Sequence, residues 1–452
     1  MFMFIFNGLK TFPKGGVHPA ENKLSADIPI ETLPLPGSVT IPISQHIGLP
    51  AVPVVERGEF VKTGQIIAKT GGFVSANIHA SITGKIAKIS EEMDSSGYRK
   101  TAIMIRADKE EQWADGIDTS DKLIKDIPFS REEILQKILS GGIVGMGGAT
   151  FPSHIKLNVP KGKKADVLII NGVECEPYLT ADHRLMIEKS EELIVGTRIL
   201  MIALGVEKAI IGIENNKPDA IEKISSLVIN ESGITVSGLK VQYPQGGEKQ
   251  LIKALINREV PSGKLPIDVG TVVHNVGTTF AAYEAVLKNK PLIERIVTVT
   301  GKSVKKPSNL LVRIGTPVSQ LIEAAGGLPE NAGKVISGGP MMGKALNELD
   351  IPIAKGTSGI LILDESESKR KESKVCIRCS KCVQVCPMGL EPFYLQNMSM
   401  RGNFEEVEAN RVLDCIECGS CAYICPSNRE LLDYIRLGKS IVTNLIRERQ
   451  RV

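Results

Sequence analysis

Eight of the nine cysteines in this 452-residue chain fall between positions 376 and 425. They form two runs with the same spacing, C-x2-C-x2-C-x3-C-P: Cys376, Cys379, Cys382, Cys386 and then Cys415, Cys418, Cys421, Cys425. This spacing is typical of [4Fe–4S] clusters, and in two-cluster proteins the fourth cysteine of each run binds the other cluster. Three thiolates on one tight loop can bind three irons of a cube, but they are too close together for a fourth to reach the remaining iron, which faces away from the loop.

The spacing therefore predicts two clusters whose ligands come from both runs. The first cluster is assigned Cys376, Cys379, Cys382 and Cys425, and the second is assigned Cys415, Cys418, Cys421 and Cys386. A pair of tetrahedral zinc sites is the alternative, although zinc usually takes separated C-x2-C pairs and requires neither the third cysteine nor the proline. A secreted disulfide framework would spread its cysteines through a short chain. Two clusters in series indicate a protein that moves single electrons in a reducing compartment.

A glycine-rich stretch, Gly145-Met-Gly-Gly148, is the second candidate for chemistry. Bare backbone approaches a phosphate or a flat ring closely and presents its N–H groups to it. The stretch is not G-x-G-x-x-G and follows a predicted helix, so the Rossmann dinucleotide motif is not predicted here. Taken alone, the stretch is equally consistent with a tight turn.

Three polar motifs follow the glycine stretch, at 171–177, 243–248 and 275–278. The first comes directly after a run typical of a buried strand, 167–170. Acidic residues in that place can lie at the carboxyl edge of a sheet, where α/β folds bind ligands; a solvated loop is the alternative. Cys175 stands between two glutamates, and because nearby anions raise the pKa of a thiol we interpret it as a packed residue rather than a nucleophile.

The composition sets the background for these motifs. Hydrophobic residues make up 42% and charged residues 23% of the chain, which is ordinary for a soluble globular protein and excludes a mainly disordered one. The net charge of +4 is too small to indicate nucleic-acid binding. No apolar run approaches the roughly 18 residues of a membrane-spanning helix, and the apolar opening Met1–Phe6 lacks the pattern of a signal peptide. We therefore expect a cytosolic, multi-domain protein without a membrane span of its own.

The pattern along the chain predicts a multi-domain α/β and α+β fold. The many turn-forming residues of 1–40 predict an extended, irregular arm. Short β-rich runs between 41 and 89, among them 73–78, predict an all-β module, and 131–140 reads as a helix capped by Ser130. Alternating strands and helices then predict an α/β layer, followed by a smaller β-rich module. The C-terminal helix is basic and amphipathic, so it either faces anionic lipid or a membrane partner or, as we favour, packs on the cluster domain. The predicted domains are 1–125, 126–292, 293–365, 366–430 and the helix 431–452.

Two modules resemble known families. The first resembles the barrel-sandwich fold of lipoyl and biotinyl carrier domains, but its hairpin at 72–79 has no lysine to modify, so a structural or docking role is expected. The stretch 130–290 resembles the flavin-binding, NADH-oxidising subunit of respiratory complex I, whose motifs run G-R-G-G-A-G-F-P, N-x-D-E-x-E-P, Y-x-x-G-E-E and N-N-V-E-T. Met146, Val173, Gly247 and Gly277 depart from those motifs.

This second resemblance implies two sets of site residues. FMN would be held by Gly145, Gly147, Gly148, Lys156, Asn171, Glu174, Asn275 and Thr278, the last two at its phosphate. The nicotinamide nucleotide, NAD(H), would lie beside Phe151, Glu176 and Glu248, with the ring stacking and the carboxylates accepting from ribose hydroxyls.

The whole chain resembles the C subunit of the Rnf complex, with a β-grasp (SLBB-like) module before the ferredoxin-type cysteine runs. Segments 15–19, 45–48 and 338–343 also resemble segments of that family. The resemblance implies a peripheral subunit, at the cytoplasmic face of the cell membrane, of an ion-translocating ferredoxin:NAD oxidoreductase. Its partners would be membrane-embedded and iron–sulfur subunits of the same complex, and ferredoxin only indirectly. A cobalamin reductase-like flavo-iron–sulfur protein and a non-enzymatic electron-carrying adaptor are the alternatives.

Overall fold

The computed structural model describes residues 8–450. The apolar opening Met1–Phe6, noted from the sequence, lies outside the described residues, as do the last two residues of the predicted C-terminal helix.

The first module consists of short strands around a small aliphatic core. The N-terminal arm contributes one strand, β1 (Ile30–Thr32). The strands of the module itself are β2 (Ser38–Pro42), β3 (Val52–Pro53), β4 (Phe60–Val61), β5 (Ile66–Lys69), β6 (Ile78–His79), β7 (Gly84–Met93) and β8 (Arg99–Ala107). They form a sheet in the order β2-β8-β7-β4 and a smaller one in the order β3-β5-β6. The predicted all-β module is confirmed, but the run 73–78 is a strand only at its end. The arm 1–40 was predicted to be irregular, and this is wrong for 30–32 and 38–40, which lie in strands.

The second module is an α/β layer with a four-stranded parallel sheet. Its elements are α1 (Arg131–Ser140), α2 (Ser153–Leu157), β9 (Val167–Gly172), α3 (Ala181–Glu188), α4 (Ser190–Leu204), β10 (Ala209–Glu214), α5 (Pro218–Val228), β11 (Ile234–Leu239), α6 (Glu248–Ile256), β12 (Thr271–Asn275) and α7 (Val276–Leu287), with a 3-10 turn at Pro266–Val269. Helix α1 begins as predicted, because Ser130 and Glu133 form a reciprocal capping box.

The strand order of this sheet is β11-β10-β9-β12, and all pairs are parallel. The chain reverses its direction across the sheet between β9 and β12. In open α/β sheets, ligands bind outside the carboxyl ends of the strands at such a switch point. The described fold therefore marks the ends of β9 and β12 as the place to look for a site.

The third module is a six-stranded sheet packed against one helix. Its own elements are β13 (Glu294–Thr300), β14 (Ser308–Arg313), α8 (Val318–Ala324), β15 (Ala332–Ser337), β16 (Lys344–Ala345) and β17 (Gly359–Asp364). The sheet order is β1-β14-β13-β17-β15-β16, so the strand of the N-terminal arm forms one edge and runs parallel to β14. The arm therefore joins a module that lies more than 250 residues further along the chain.

The cysteine runs lie in a C-terminal domain of short helices. These are α9 (Glu365–Ser368), α10 (Lys381–Gln384), α11 (Pro392–Met400), α12 (Phe404–Ala409), a 3-10 turn at Val412–Asp414, α13 (Ser420–Tyr423) and the long α14 (Leu431–Arg449). Helix α14 buries Leu431, Ile435 and Val442 in the core of the domain. Its basic Arg436 and Lys439 pair with Glu417, so the interpretation that this helix packs on the cluster domain is confirmed. Within 8–450, none of the helices combines the length and the apolar character needed to cross a membrane.

Candidate functional site

The glycine loop lies at the switch point of the parallel sheet. The loop is closed on itself, since the backbone N–H of Gly145 donates to the carbonyl of Phe151 at 2.9 Å. It is tethered to α7, because the N–H of Met146 donates to Oγ1 of the buried Thr278 at 2.8 Å. A Cβ on Gly147 would lie 3.0 Å from the Cβ of Asn275. The backbone of the loop is therefore pressed against the start of α7, and only a glycine fits there without a shift.

Asn275 and Thr278 hold this arrangement together from the helix side. Oδ1 of Asn275 caps α7 by accepting from the N–H of Gly277 at 2.8 Å and from that of Thr278 at 3.4 Å. Nδ2 of Asn275 donates to Asp182 at 2.6 Å. The polar side-chain atoms of both residues thus have partners within the chain. An anion at this place would be met mainly by backbone N–H groups at the N-terminus of a twelve-residue helix.

The polar residues at the end of β9 and just after it hold the same region together. Asn171 donates from Nδ2 to the carbonyl of Gly246 at 2.9 Å, which links the end of β9 to the loop after β11. Glu174 accepts from the N–H groups of Asp182 and His183 at 2.8 and 3.1 Å, and so caps α3. Burial, with Glu174 as a nearby like charge, raises the pKa of Asp182. A carboxyl group that is readily protonated therefore lies beside Asn275.

Two lysines that lie outside all of the sequence motifs hold the loop after β9 in place. Nζ of Lys23, from the N-terminal arm, donates to the carbonyls of Glu174, Glu176 and Leu179 at 2.8, 2.9 and 2.7 Å. Burial and the charge of Lys217 lower the pKa of Lys23 to about 8. Lys217 is almost fully buried and donates to the carbonyl of Val173 at 2.7 Å. Sequence reasoning missed both residues, because a lone lysine is indistinguishable from the many on the surface.

Glu248 and Lys156 form an ion pair at the edge of this region. Nζ of Lys156 lies 2.6 Å from Oε1 of Glu248, the first residue of α6. Both side chains are half-buried, as is Phe151 at the end of the glycine loop. Gly247 is the N-cap of α6, without a side-chain hydrogen bond. Glu248 is thus positioned by a lysine from α2 and points its carboxylate at a group that was predicted for the flavin.

Glu176 has different surroundings from Glu248. Its carboxylate accepts from the N–H of Met342 at 2.8 Å and from that of Met341 at 3.2 Å, in the loop 338–343 of the third module. Burial raises the pKa of Glu176 to about 7, although the two N–H groups act in the opposite direction. A Cβ on Gly339 would lie 2.3 Å from the same carboxylate. Glu176 therefore fastens the third module to the α/β module.

The second set of cysteines surrounds one cavity. Cys415, Cys418 and Cys421 line it together with Cys386, which comes from the other run. Burial, with Cys418 and Cys386 as like charges nearby, raises the pKa of Cys415 to about 11. Thiolates buried this close together would repel one another, and a metal cluster would neutralise them. The all-sulfur donor set fits an iron–sulfur cluster.

The first set is closer to the surface. Cys376 and Cys379 are exposed, and Cys382 and Cys425 are half-buried. Burial raises the pKa of Cys382, and Cys425 and Cys376 add to the shift, so Cys425 of the second run lies near the cysteines of the first. Among residues 8–450, no three His, Cys, Asp or Glu side chains are arranged to hold a single metal ion. The ligands of a cube stand farther apart than those of one ion, because each thiolate binds a different iron.

Four domain families match consecutive parts of the chain. These are the RnfC barrel sandwich hybrid domain at 10–110, the Nuo51 FMN-binding domain at 138–284, the SLBB domain at 296–345 and the 4Fe-4S dicluster domain at 368–426. The glycine loop lies in the second and both cysteine runs lie in the fourth. Fold and site together define an electron-transfer protein with an FMN-binding domain and two [4Fe–4S] clusters.

Similarity over the full chain identifies the family. The chain is 50% identical over 434 residues to the C subunit of the proton-translocating ferredoxin:NAD(+) oxidoreductase complex of Clostridium ljungdahlii, covering 96% of this chain and 94% of that protein. It is 46% identical over 433 residues to the C subunit of the Na(+)-translocating complex of Acetobacterium woodii, covering 94% and 96%. The chain belongs to the RnfC family, the C subunits of ion-translocating ferredoxin:NAD oxidoreductase complexes. The front module and this coverage favour that family over the cobalamin reductase-like alternative.

A solved structure shares the fold at low sequence identity. The NAD+-reducing [NiFe]-hydrogenase in its H2-reduced state matches with a TM-score of 0.51 and 20% identity, covering 70% of this chain and 63% of that one. At this identity the match speaks for the fold alone.

Proposed function

We propose that the chain exchanges hydride between NAD(H) and FMN, and exchanges single electrons between FMN and its two clusters. It would do so as a peripheral subunit of a membrane-bound, ion-translocating ferredoxin:NAD oxidoreductase, on the cytoplasmic face of the membrane. Its partners would be the membrane-embedded and iron–sulfur subunits of that complex, with ferredoxin reached indirectly. The names of the two relatives above support the reaction, and they differ in the translocated ion.

The flavin site of the proposal is built mainly from backbone. Gly147 lies against Asn275 at the start of α7, where the helix dipole favours an anion such as the FMN phosphate. Gly145 would shape the loop through its bond to Phe151, and Gly148 would offer bare backbone to the flavin. Asn275 and Thr278 act by fixing that backbone, given their bonds within the chain. Lys156, Asn171 and Glu174 complete the set around the ends of β9 and β12. Bound FMN supplies the conversion between two-electron and one-electron chemistry.

The nucleotide side of the proposal consists of Phe151, Glu176 and Glu248. Glu248 is half-exposed and held by Lys156, so it is the side chain best placed to accept from a ribose hydroxyl. A carboxylate offers about four lone-pair sites, so Glu176 retains acceptor capacity beyond its two bonds to the loop 338–343. A substitution at Glu176 would also disturb that loop, and Glu248 is therefore the cleaner position for a test.

The observation that carries the proposal is a direct contact between the α/β module and the second cysteine set. The hydroxyl of the buried Tyr243 donates to the carbonyl of Cys418 at 2.8 Å. Cys175 and Met341 pack around the same contact. Because the first set has exposed cysteines, we propose that electrons pass between the flavin site and the second cluster, and then between the first cluster and a partner at the surface.

Cofactor analysis of the full-length, anaerobically purified chain tests this proposal. Two cubes require about eight iron and about eight sulfide per chain, and acid precipitation should release FMN, because the proposed contacts to it are all non-covalent. NADH should bleach the bound flavin. Stoichiometric zinc with negligible sulfide would contradict the clusters. Clusters without flavin, and without any response to NADH, would favour the electron-carrying adaptor.

A further inference from the structure

A short segment of the N-terminal arm, Gly15–Val17, lies between the α/β module and the cysteine runs. On one side, Val17 and Tyr243 exchange both backbone hydrogen bonds, at 2.8 and 2.9 Å. On the other side, the N–H of Gly16 donates to the carbonyl of Val385 at 2.9 Å. Val385 directly precedes Cys386. The segment thus connects the loop after β11 to the backbone of one cysteine of the second set.

The fit of this segment requires glycine. A Cβ on Gly15 would lie 2.6 Å from the carbonyl oxygen of Val385, 2.7 Å from the carbonyl carbon of Cys386 and 2.8 Å from the nitrogen of Pro387. The φ angle of Gly15 is +75°, which side-chain-bearing residues rarely adopt. Since all three neighbours are backbone atoms, none can turn aside as a side chain would. The backbone around Cys386 therefore packs directly against the backbone of the arm at Gly15.

Tyr243 closes the arrangement from the flavin side. Its backbone is paired with Val17, and its hydroxyl donates to the carbonyl of Cys418. Val17, Tyr243 and Cys418 are all buried and pack in one small core. The arm thus contacts Cys386 directly and Cys418 through one tyrosine, and these two cysteines come from different runs. An arm that served only to cover the surface would not need to reach both.

We propose that Gly15–Val17 and Tyr243 form a clamp that fixes the second cluster against the α/β module and so sets its distance from the flavin site. These are positioning residues, because they act through the backbone of the cluster ligands and not on the reacting atoms. Electron transfer falls off steeply with distance, so the clamp would control the rate of exchange between flavin and cluster. The inference rests on the proposed function, in which Cys386 and Cys418 bind the second cluster.

Gly15→Ala in the full-length chain, purified anaerobically, tests the clamp. We expect loss or distortion of one cluster, with iron falling from about eight towards about four per chain, one EPR signal lost or broadened, and FMN content unchanged. Gly58→Ala is the matched control. Gly58 also has a positive φ, of +89°, but a Cβ there would meet nothing within 4 Å. The control therefore carries the same backbone strain without the clash.

Tyr243→Phe keeps the ring and removes only the hydroxyl, so it serves if Gly15→Ala fails to fold. We expect a changed EPR signature and potential of the second cluster, slower NADH-driven cluster reduction, and an unchanged first cluster. A lower melting temperature with unchanged spectra, potentials and rates in both variants would overturn the clamp. Cys386→Ser distinguishes a failure of the clamp from a failure of the cluster assignment. If it damages the second cluster while both clamp variants leave it intact, the clamp is wrong and the cluster assignment stands; if it spares the second cluster, the assignment itself is wrong.

Discussion

The Nζ atom of Lys156 lies 2.6 Å from Oε1 of Glu248, so a residue predicted for the flavin and a residue predicted for the nucleotide hold each other in place. The two side chains are 28% and 40% exposed, and ion pairs at such exposure add only about 0–1 kcal/mol to stability. The pair therefore contributes little to the stability of the fold. We propose that it positions a carboxylate and an ammonium group for a bound ligand.

Glu248→Gln should weaken NADH binding and leave FMN content and cluster spectra intact. Loss of a charge-assisted hydrogen bond corresponds to roughly a ten- to hundredfold change in an equilibrium constant. Flavin reduction measured against NADH concentration gives the result. Glu259→Gln, an exposed glutamate just beyond the same helix, is the control. If Glu248 serves only as the first residue of α6, the two variants will have the same concentration dependence.

Gly148→Ala should lower FMN occupancy without destabilising the protein. A Cβ on Gly148 would meet no protein atom within 4 Å and no positive φ opposes it, so a loss of flavin would report a contact with the ligand. Gly37→Ala has the same free surroundings and serves as control. Flavin content per chain and the melting temperature are to be compared. Full FMN occupancy in Gly148→Ala would remove this residue from the flavin site.

Serine substitutions should distinguish cross-run from within-run cluster ligation. Cys386→Ser should damage the cluster built on 415–421, because Cys386 lines the same cavity as those cysteines. Cys425→Ser should damage the cluster built on 376–382, because Cys425 lies close enough to raise the pKa of Cys382. EPR of the reduced proteins, with iron content, separates the two cases. The assignment fails if each serine damages the cluster of its own run.

The stability of the protein should depend on pH through Glu176. Its folded pKa of about 7 lies above the ordinary 4.5, so the folded state binds this proton more tightly than the unfolded state. The resulting stabilisation is fully present below about pH 4.5 and is lost as the pH rises through about 7. Glu176→Gln should therefore reduce the difference in melting temperature between about pH 5.5 and about pH 8. Burial also raises the pKa of Glu214 to about 7, so the part of the pH dependence that comes from Glu214 remains in this variant. An unchanged difference would show that Glu176 is ionised throughout.

Local patterns in the sequence were sufficient where the physics is local. The capping box at Ser130, the strand 167–170 and the cysteine spacing each depend on residues a few positions apart. The rejection of a Rossmann dinucleotide motif is also consistent with the structure, since the glycine loop follows helix α1 and not a strand. These patterns did not indicate, however, that the sheet reverses its strand order between β9 and β12, because strand order depends on packing between distant segments.

Contacts between residues far apart in the sequence could not be predicted from local sequence patterns. Nothing in the sequence links Ile30 to Asn309, its partner in the third module. The same holds for Lys23, whose three carbonyl acceptors lie about 150 residues away, and for Tyr243 and Cys418. Asn275 and Thr278, which are predicted to hold the FMN phosphate, also have hydrogen-bond partners within the chain that no sequence pattern indicates. Residue identity predicts what a group can bind, and packing decides which partner it has.

The most direct test of the central claim is freeze-quench EPR after mixing anaerobic Cys386→Ser protein with NADH. If electrons pass from the flavin site to the first cluster through the second, the flavin will still bleach but NADH will no longer reduce the first cluster, while dithionite will. The unsubstituted chain, mixed in the same way, should show both clusters reduced. Reduction of the first cluster by NADH at an undiminished rate in Cys386→Ser would contradict the proposed route.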